Sequence, residues 1–164
     1  MWEDICEDAA ALIKKGKSLT IRGGWAFNSL EGVGGKPDKI FQHNGAPGST
    51  FLITDGFTAK GVNGKLWRSC GNCKNNSGPR HLIVDNVRIE GKINTIAAPN
   101  VNQGYGDTVT ISNLMIENYR AKKPKICNAY VGSTRKETRI GPKQLGEQWN
   151  TEHCIVRPSD ITSF

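Results

Sequence analysis

The segments "RHLIVDNVRIEG" at 80–91 and "DTVTISNLMIENY" at 107–119 align without a gap at a spacing of 27 residues. Leu82 falls on Val109, Val84 on Ile111, Asn86 on Asn113, Val87 on Leu114 and Ile89 on Ile116. Each unit alternates apolar and polar residues, reaches an asparagine, and then alternates again. That reads as two short strands joined by a tight bend. Asparagine suits the bend because it tolerates the left-handed backbone region and hydrogen-bonds to nearby backbone. "STFLITDGFTAKG" at 49–61 follows the same grammar about 30 residues earlier, and "KSLTIRGGWAF" at 17–27 reads as a fourth unit with Leu19 and Ile21 inward. A unit of this length cannot bury its inner face alone, so the units must stack. A coiled β architecture is therefore expected, with Val84 over Ile111 and Asn86 over Asn113 in a side-chain ladder. An antiparallel sandwich of regular hairpins is the alternative; the long spacing favours the coil, because hairpin strands usually recur sooner.

The chain has 164 residues, enough for one sizeable core or a run of stacked repeats. No stretch approaches 18 consecutive apolar residues, so no transmembrane helix and no membrane partner are expected. No basic segment followed by an apolar one is read at its start, so no signal peptide is expected within this stretch. The repeat is lost from about Lys122. We expect coils over 1–121 and a loop-rich tail over 122–164 that caps or packs on the last coil, covering its unpaired strand edges.

A formal net charge of +7 favours polyanionic partners, either nucleic acid or acidic polysaccharide. Nucleic acid would call for aromatic platforms interleaved with the cations. The four Trp and three Tyr are scattered without such a pattern, so nucleic acid is not expected. Against this basic background "WEDICEDA" at 2–9 carries four carboxylates: Glu3, Asp4, Glu7 and Asp8. Acids suit a helix start, and "DAAALIKK" has the Ala and Leu of a helix. Glu7 and Asp8 are also adjacent hard oxygen donors of the kind Ca²⁺ takes, although two are too few for its shell. "PDKIFQHNG" brings Lys39, His43 and Asn44 close together, and "GKLWRSCGNC" sets Lys65 and Arg68 three apart. On a regular strand positions three apart face opposite ways; a bend would let both cations converge. The bland reading of each pair is solvated surface charge. His43, His81 and His153 form no ligand spacing and are read as structural.

Five cysteines leave one without an internal partner. Cys127 and Cys154 are 27 apart, unlike the second half of a zinc site, and no βαβ context supports a thioredoxin-like motif at "CGNC". A structural disulfide, within "CGNC" or to another coil, is expected. Asn75-Asn76-Ser77 is an N-glycosylation sequon, weak evidence for secretion.

"WEDICEDA", "DKIFQHNG" and "KLWRSCGNC", in this order, resemble the signature blocks of the family 3 pectate lyases. "GPRHLIVDNV" and "YGDTVTISN" resemble that family's following coils, and the match covers roughly positions 1–120. The resemblance implies an all-β, right-handed parallel β-helix, secretion as a monomer, and calcium-dependent β-elimination of polygalacturonate, the backbone of pectin. It places the paired Ca²⁺ ligands on Glu7 and Asp8, the proton-abstracting lysine on Lys39, and further active-site cations on Lys65 and Arg68. Tyrosine is common in the family where this chain has Trp67. Family members carry several coils before this block, including a further calcium-binding aspartate. The resemblance thus implies a C-terminal portion, truncated at its N-terminal end, with little activity alone. A non-catalytic polysaccharide-binding fragment is the alternative.

The residue types suit that reaction. β-Elimination removes a weakly acidic proton at C5, alpha to a carboxylate, and expels the glycosidic oxygen at C4. A cation on the carboxylate stabilises the charge that develops. The base must be deprotonated: a pKa above about 12 disfavours arginine, although other pectate lyase families are thought to use one and Arg68 is the alternative base, and an ordinary lysine would be neutral in about one molecule in 250 at pH 8. Arg68, Lys65 and Ca²⁺ nearby would be expected to lower the pKa of Lys39.

Overall fold

The computed structural model describes residues 1–2, 8–14, 17–28, 38–120, 123–134 and 142–164. Its strands are β1 (Ala10–Lys14), β2 (Ser18–Arg22), β3 (Trp25–Asn28), β4 (Lys39–Gly45), β5 (Ser49–Thr54), β6 (Phe57–Ser69), β7 (Arg80–Ala98), β8 (Thr108–Ile116), β9 (Lys125–Tyr130), β10 (Gln144–Glu147), β11 (Cys154–Ile155) and β12 (Ile161–Ser163). Three parallel faces result. One runs β1–β4–β6–β7–β9, the second β2–β5–β7–β8–β11, and the third β3–β6–β7–β8–β12. This is a right-handed parallel β-helix, in which each strand hydrogen-bonds to its counterpart one coil later. β6 and β7 are long because they run through corners between faces, β6 at Gly61 and β7 at Asn86 and Gly91.

The repeat read from sequence is the register observed. Leu82 pairs with Val109, Val84 with Ile111, Val87 with Leu114 and Ile89 with Ile116, and all eight are buried. The columns extend through Phe51, Ile53 and Phe57 in the coil before. At the bends Asp55, Asn86 and Asn113 sit at φ of 58°, 54° and 49°, the left-handed region that Asp and Asn tolerate. The asparagines do not pair with each other. Asn113 Nδ2 and Ser112 Oγ both donate to Asp85 Oδ1, at 2.8 and 2.7 Å. These bonds hold the Asp85 carboxyl below the usual range. The second corner is marked by Gly61 and Gly91 at φ of 78° and 97°. A Cβ on Gly91 would drive into the carbonyl of Gly61, so the stacked corner admits nothing larger.

Two expectations need correction. The stretch after Asp8 is not helical: Ala10–Lys14 is a strand, paired in parallel with Phe41–Gly45. Its helix-forming residues yield to the backbone bonds offered by β4, a tertiary override of a weak propensity. Glu7, like Cys6, lies outside the described residues. The segment after 121 is also richer in strand than its polar sequence suggests. β9, β11 and β12 each pair in parallel with the preceding coil, while β10 folds back antiparallel on β9.

Inside the coil Phe41 packs against Phe51 and Phe57, both with ring centroids 5.3 Å away, and Trp2 meets Phe41 edge-on. Phe57→Ala should cost about 3–5 kcal/mol, the usual penalty for emptying such a site. Urea unfolding checks this; a loss below about 1 kcal/mol would show that the aromatic stack is not a main support of the coil. Disulfides join Cys70 to Cys73 and Cys127 to Cys154. The first closes the "CGNC" turn and the second ties β9 to β11.

Candidate active site

β6 is a continuous strand, yet Lys65 and Arg68 converge. The cause is a break in alternation: Leu66 and Trp67 are consecutive and both fully buried, as are Ile40 and Phe41 one coil earlier and Ile96 and Ala97 one coil later. The pairing skips Ile40, Leu66 and Ile96 at the same level. Two adjacent inward residues shift the phase by one, which brings positions three apart to the same side. In register, Lys39 of β4 pairs with Lys65 of β6, Lys65 with Thr95 of β7, and Thr95 with Lys125 of β9. Gln42, Arg68 and Ala98 form the adjoining row.

Lys39 is held between two carboxylates. Its Nζ lies 2.7 Å from Asp38 Oδ2 and 3.1 Å from Asp8 Oδ1, with 18% of the side chain exposed. Burial pushes its pKa down, but hydrogen bonds and charge from Asp38 and Asp8 outweigh that, and the net value stands above the ordinary 10.5. This reverses the sequence-based expectation of a depressed Lys39. The acids next to it count for more than the cations beyond it. Lys65 behaves as expected of the cluster: burial first, then the charges of Arg68 and Lys39, lower its pKa against an opposing contribution from Asp38.

Arg68 is 8% exposed. Its Nη1 donates to the Ala98 carbonyl at 2.6 Å, and its guanidinium lies over the Tyr130 ring, 4.2 Å from the centroid. Nη2 is buried without a hydrogen-bond partner among the described residues. Burial pushes the guanidinium pKa down to about 10, with Tyr130 and Asp107 opposing and Arg80 assisting, so it stays charged at neutral pH. Gly71 of the "CGNC" turn belongs to this arrangement: a Cβ there would collide with Arg68 Nη2 and with Pro142. Tyr130 was not foreseen as a site residue.

Asp8 therefore joins the site, while its proposed companion Glu7 lies outside the described residues. Among the described residues no three His, Cys, Asp or Glu side chains are grouped to hold a metal ion. Carboxylate oxygens are nevertheless the right chemistry for Ca²⁺. Asp8 fits as one such donor. The histidines serve the scaffold. His43 is fully buried with Nε2 2.8 Å from Ser49 Oγ, its pKa pushed down to about 3 by burial, then by Arg80 and His81. His81 Nδ1 meets Thr108 Oγ1 at 2.7 Å in the next coil.

Fold and site together define a parallel β-helix with a cationic face suited to an acidic polymer. The profile of the pectate lyase family matches residues 1–137, and the chain belongs to that family. It is 35% identical over 137 residues to "Probable pectate lyase D" of Emericella nidulans, covering 83% of this chain and 45% of the relative. It is 33% identical over 155 residues to "Pectate lyase H" of the same organism, covering 94% and 51%. The chain thus spans about half the length of these curated relatives. Among solved structures it resembles the catalytic domain of pectate lyase PelI from Erwinia chrysanthemi, with a TM-score of 0.90 and 46% identity over 99% of this chain and 69% of that one. PelI in complex with tetragalacturonic acid is similar at a TM-score of 0.85 and 42% identity, covering 98% of this chain and 48% of that one.

Proposed function

We propose that this chain carries the catalytic face of a secreted, calcium-dependent pectate lyase that cleaves (1→4)-α-D-galacturonan by β-elimination. The observation that carries the reading is the convergence of Lys39, Lys65 and Arg68, with Asp8, across adjacent coils. A galacturonate bound there would have its carboxylate near Lys65 and Arg68 and its C5 proton near a lysine. Ca²⁺, held by Glu7, Asp8 and the substrate, would supply electrostatic stabilisation of the charge that develops beside the carboxylate.

Lys39 is the proposed base. Asp8 and Asp38 fix its amine at one place in the row, and loss of its proton would make it the acceptor. Lys65 contributes a point charge on the substrate carboxylate. Arg68 contributes a charge that is oriented before substrate arrives, because Ala98 and Tyr130 already hold it. The tetragalacturonate named in the PelI complex supports the substrate class, and the two disulfides suit an extracellular protein. Calcium titration by calorimetry tests the metal assignment. Glu7→Gln with Asp8→Asn should weaken binding at least tenfold in the longest gene product that contains these residues. Equal affinity in both proteins would remove Glu7 and Asp8 from the site.

A further inference from the structure

Tyr130 lies 62 residues from Arg68 in sequence, yet its ring faces the guanidinium at 4.2 Å. The tyrosine is itself firmly placed. Its backbone N–H donates to Pro99 at 2.9 Å and its carbonyl accepts from Val101 at 3.0 Å. Its hydroxyl accepts from Asn128 Nδ2 at 3.1 Å, and its strand is flanked by β10 through Gln144. Arg68 depends on such support. Its long side chain is anchored otherwise by one bond to Ala98 and by the space that Gly71 leaves. Nη2, buried and without a hydrogen-bond partner among the described residues, is a donor whose desolvation is offset only when an acceptor reaches it.

We propose that Tyr130 is a positioning residue: its ring holds the Arg68 guanidinium beside Lys65, so that Arg68 meets the substrate carboxylate in one fixed orientation. The inference rests on the reading of Arg68 as part of the substrate site. The last coil then contributes to the chemistry as well as to the scaffold. An aromatic face is what the role requires, because it attracts a cation while leaving the guanidinium edge to hydrogen-bond. The hydroxyl is dispensable for it.

A double-mutant cycle with an activity-free arm tests this. On polygalacturonate, Tyr130→Phe should keep kcat/KM within about twofold, and Tyr130→Leu should lower it about 10-fold. In an Arg68→Ala background Tyr130→Leu should add nothing. Equal losses in both backgrounds would overturn the proposal and leave Tyr130 a structural residue. Independently, the Arg68 Nε–H resonance in NMR should be ring-current shifted in the wild type and in Tyr130→Phe, and should lose that shift in Tyr130→Leu. An unchanged resonance in Tyr130→Leu would overturn the proposal whatever the activity. A wild type that shows the shift but cleaves nothing would keep the positioning and defeat the lyase reading instead.

Discussion

Replacing Lys39 with alanine is expected to lower kcat for polygalacturonate by about 10²–10⁴-fold, with little change in KM, because proton abstraction occurs only in the transition state. The motivation is its place in the row with Lys65 and its fixation by Asp8 and Asp38. Lys39→Arg should not restore activity, since arginine stays protonated under working conditions. The rate should climb with pH through the alkaline range. The sign follows from the raised pKa: the neutral amine is the scarce form below about 10.5 and becomes more abundant as pH rises. The ion pairs that raise it stabilise the fold below the ordinary lysine value, and that contribution fades as pH passes the raised one. Stopped assays across pH 7–11 on both proteins check this. Lys65, whose pKa is lowered, and Arg68, whose pKa is pushed down to about 10, are the competing candidates. If Lys65→Ala were dead and had lost the alkaline rise while Lys39→Ala kept both, the roles of the two lysines would be exchanged.

Arg68→Ala should impair both kcat and KM, by roughly 10²-fold or more in kcat/KM, as loss of a preorganised charge does. If Arg68 acts on the carboxylate before and during the reaction, as proposed, ground state and transition state both lose it. Arg68→Lys should rescue only in part, because an ammonium cannot both donate to Ala98 and lie flat on Tyr130. Arg68→Ala also empties a buried position, so circular dichroism and unfolding curves must accompany the kinetics. A folded Arg68→Ala with wild-type kcat/KM would remove Arg68 from the site.

How much of this was legible in sequence follows from the range of each cause. The coil was readable at 80–91 and 107–119 because parallel stacking imposes one register on both, so Val84 and Ile111 repeat at one spacing. β1 was not readable, because Ala10–Lys14 has helical residues and becomes a strand only through β4. The convergence of Lys65 and Arg68 needed the double inward pair Leu66–Trp67. "KLWRS" contains that pair, but strict alternation hides it. The raised pKa of Lys39 was missed because the reading weighed the cations expected from other blocks, Lys65, Arg68 and Ca²⁺, and not the adjacent Asp38. The fold instead brings Asp8 from an earlier coil against it and leaves Asp38 adjacent. Tyr130 could not be found from motifs at all, since it comes from a segment where the repeat fades and meets Arg68 only through stacking.

The claim that this cationic face performs β-elimination is tested most directly by the product. Polygalacturonate with Ca²⁺ and the longest gene product containing these residues should yield oligomers with a new C4–C5 double bond, followed by ultraviolet absorbance, and Lys39→Ala should yield none. Cleavage to saturated reducing ends, or unsaturated product at an equal rate from Lys39→Ala, would contradict the account.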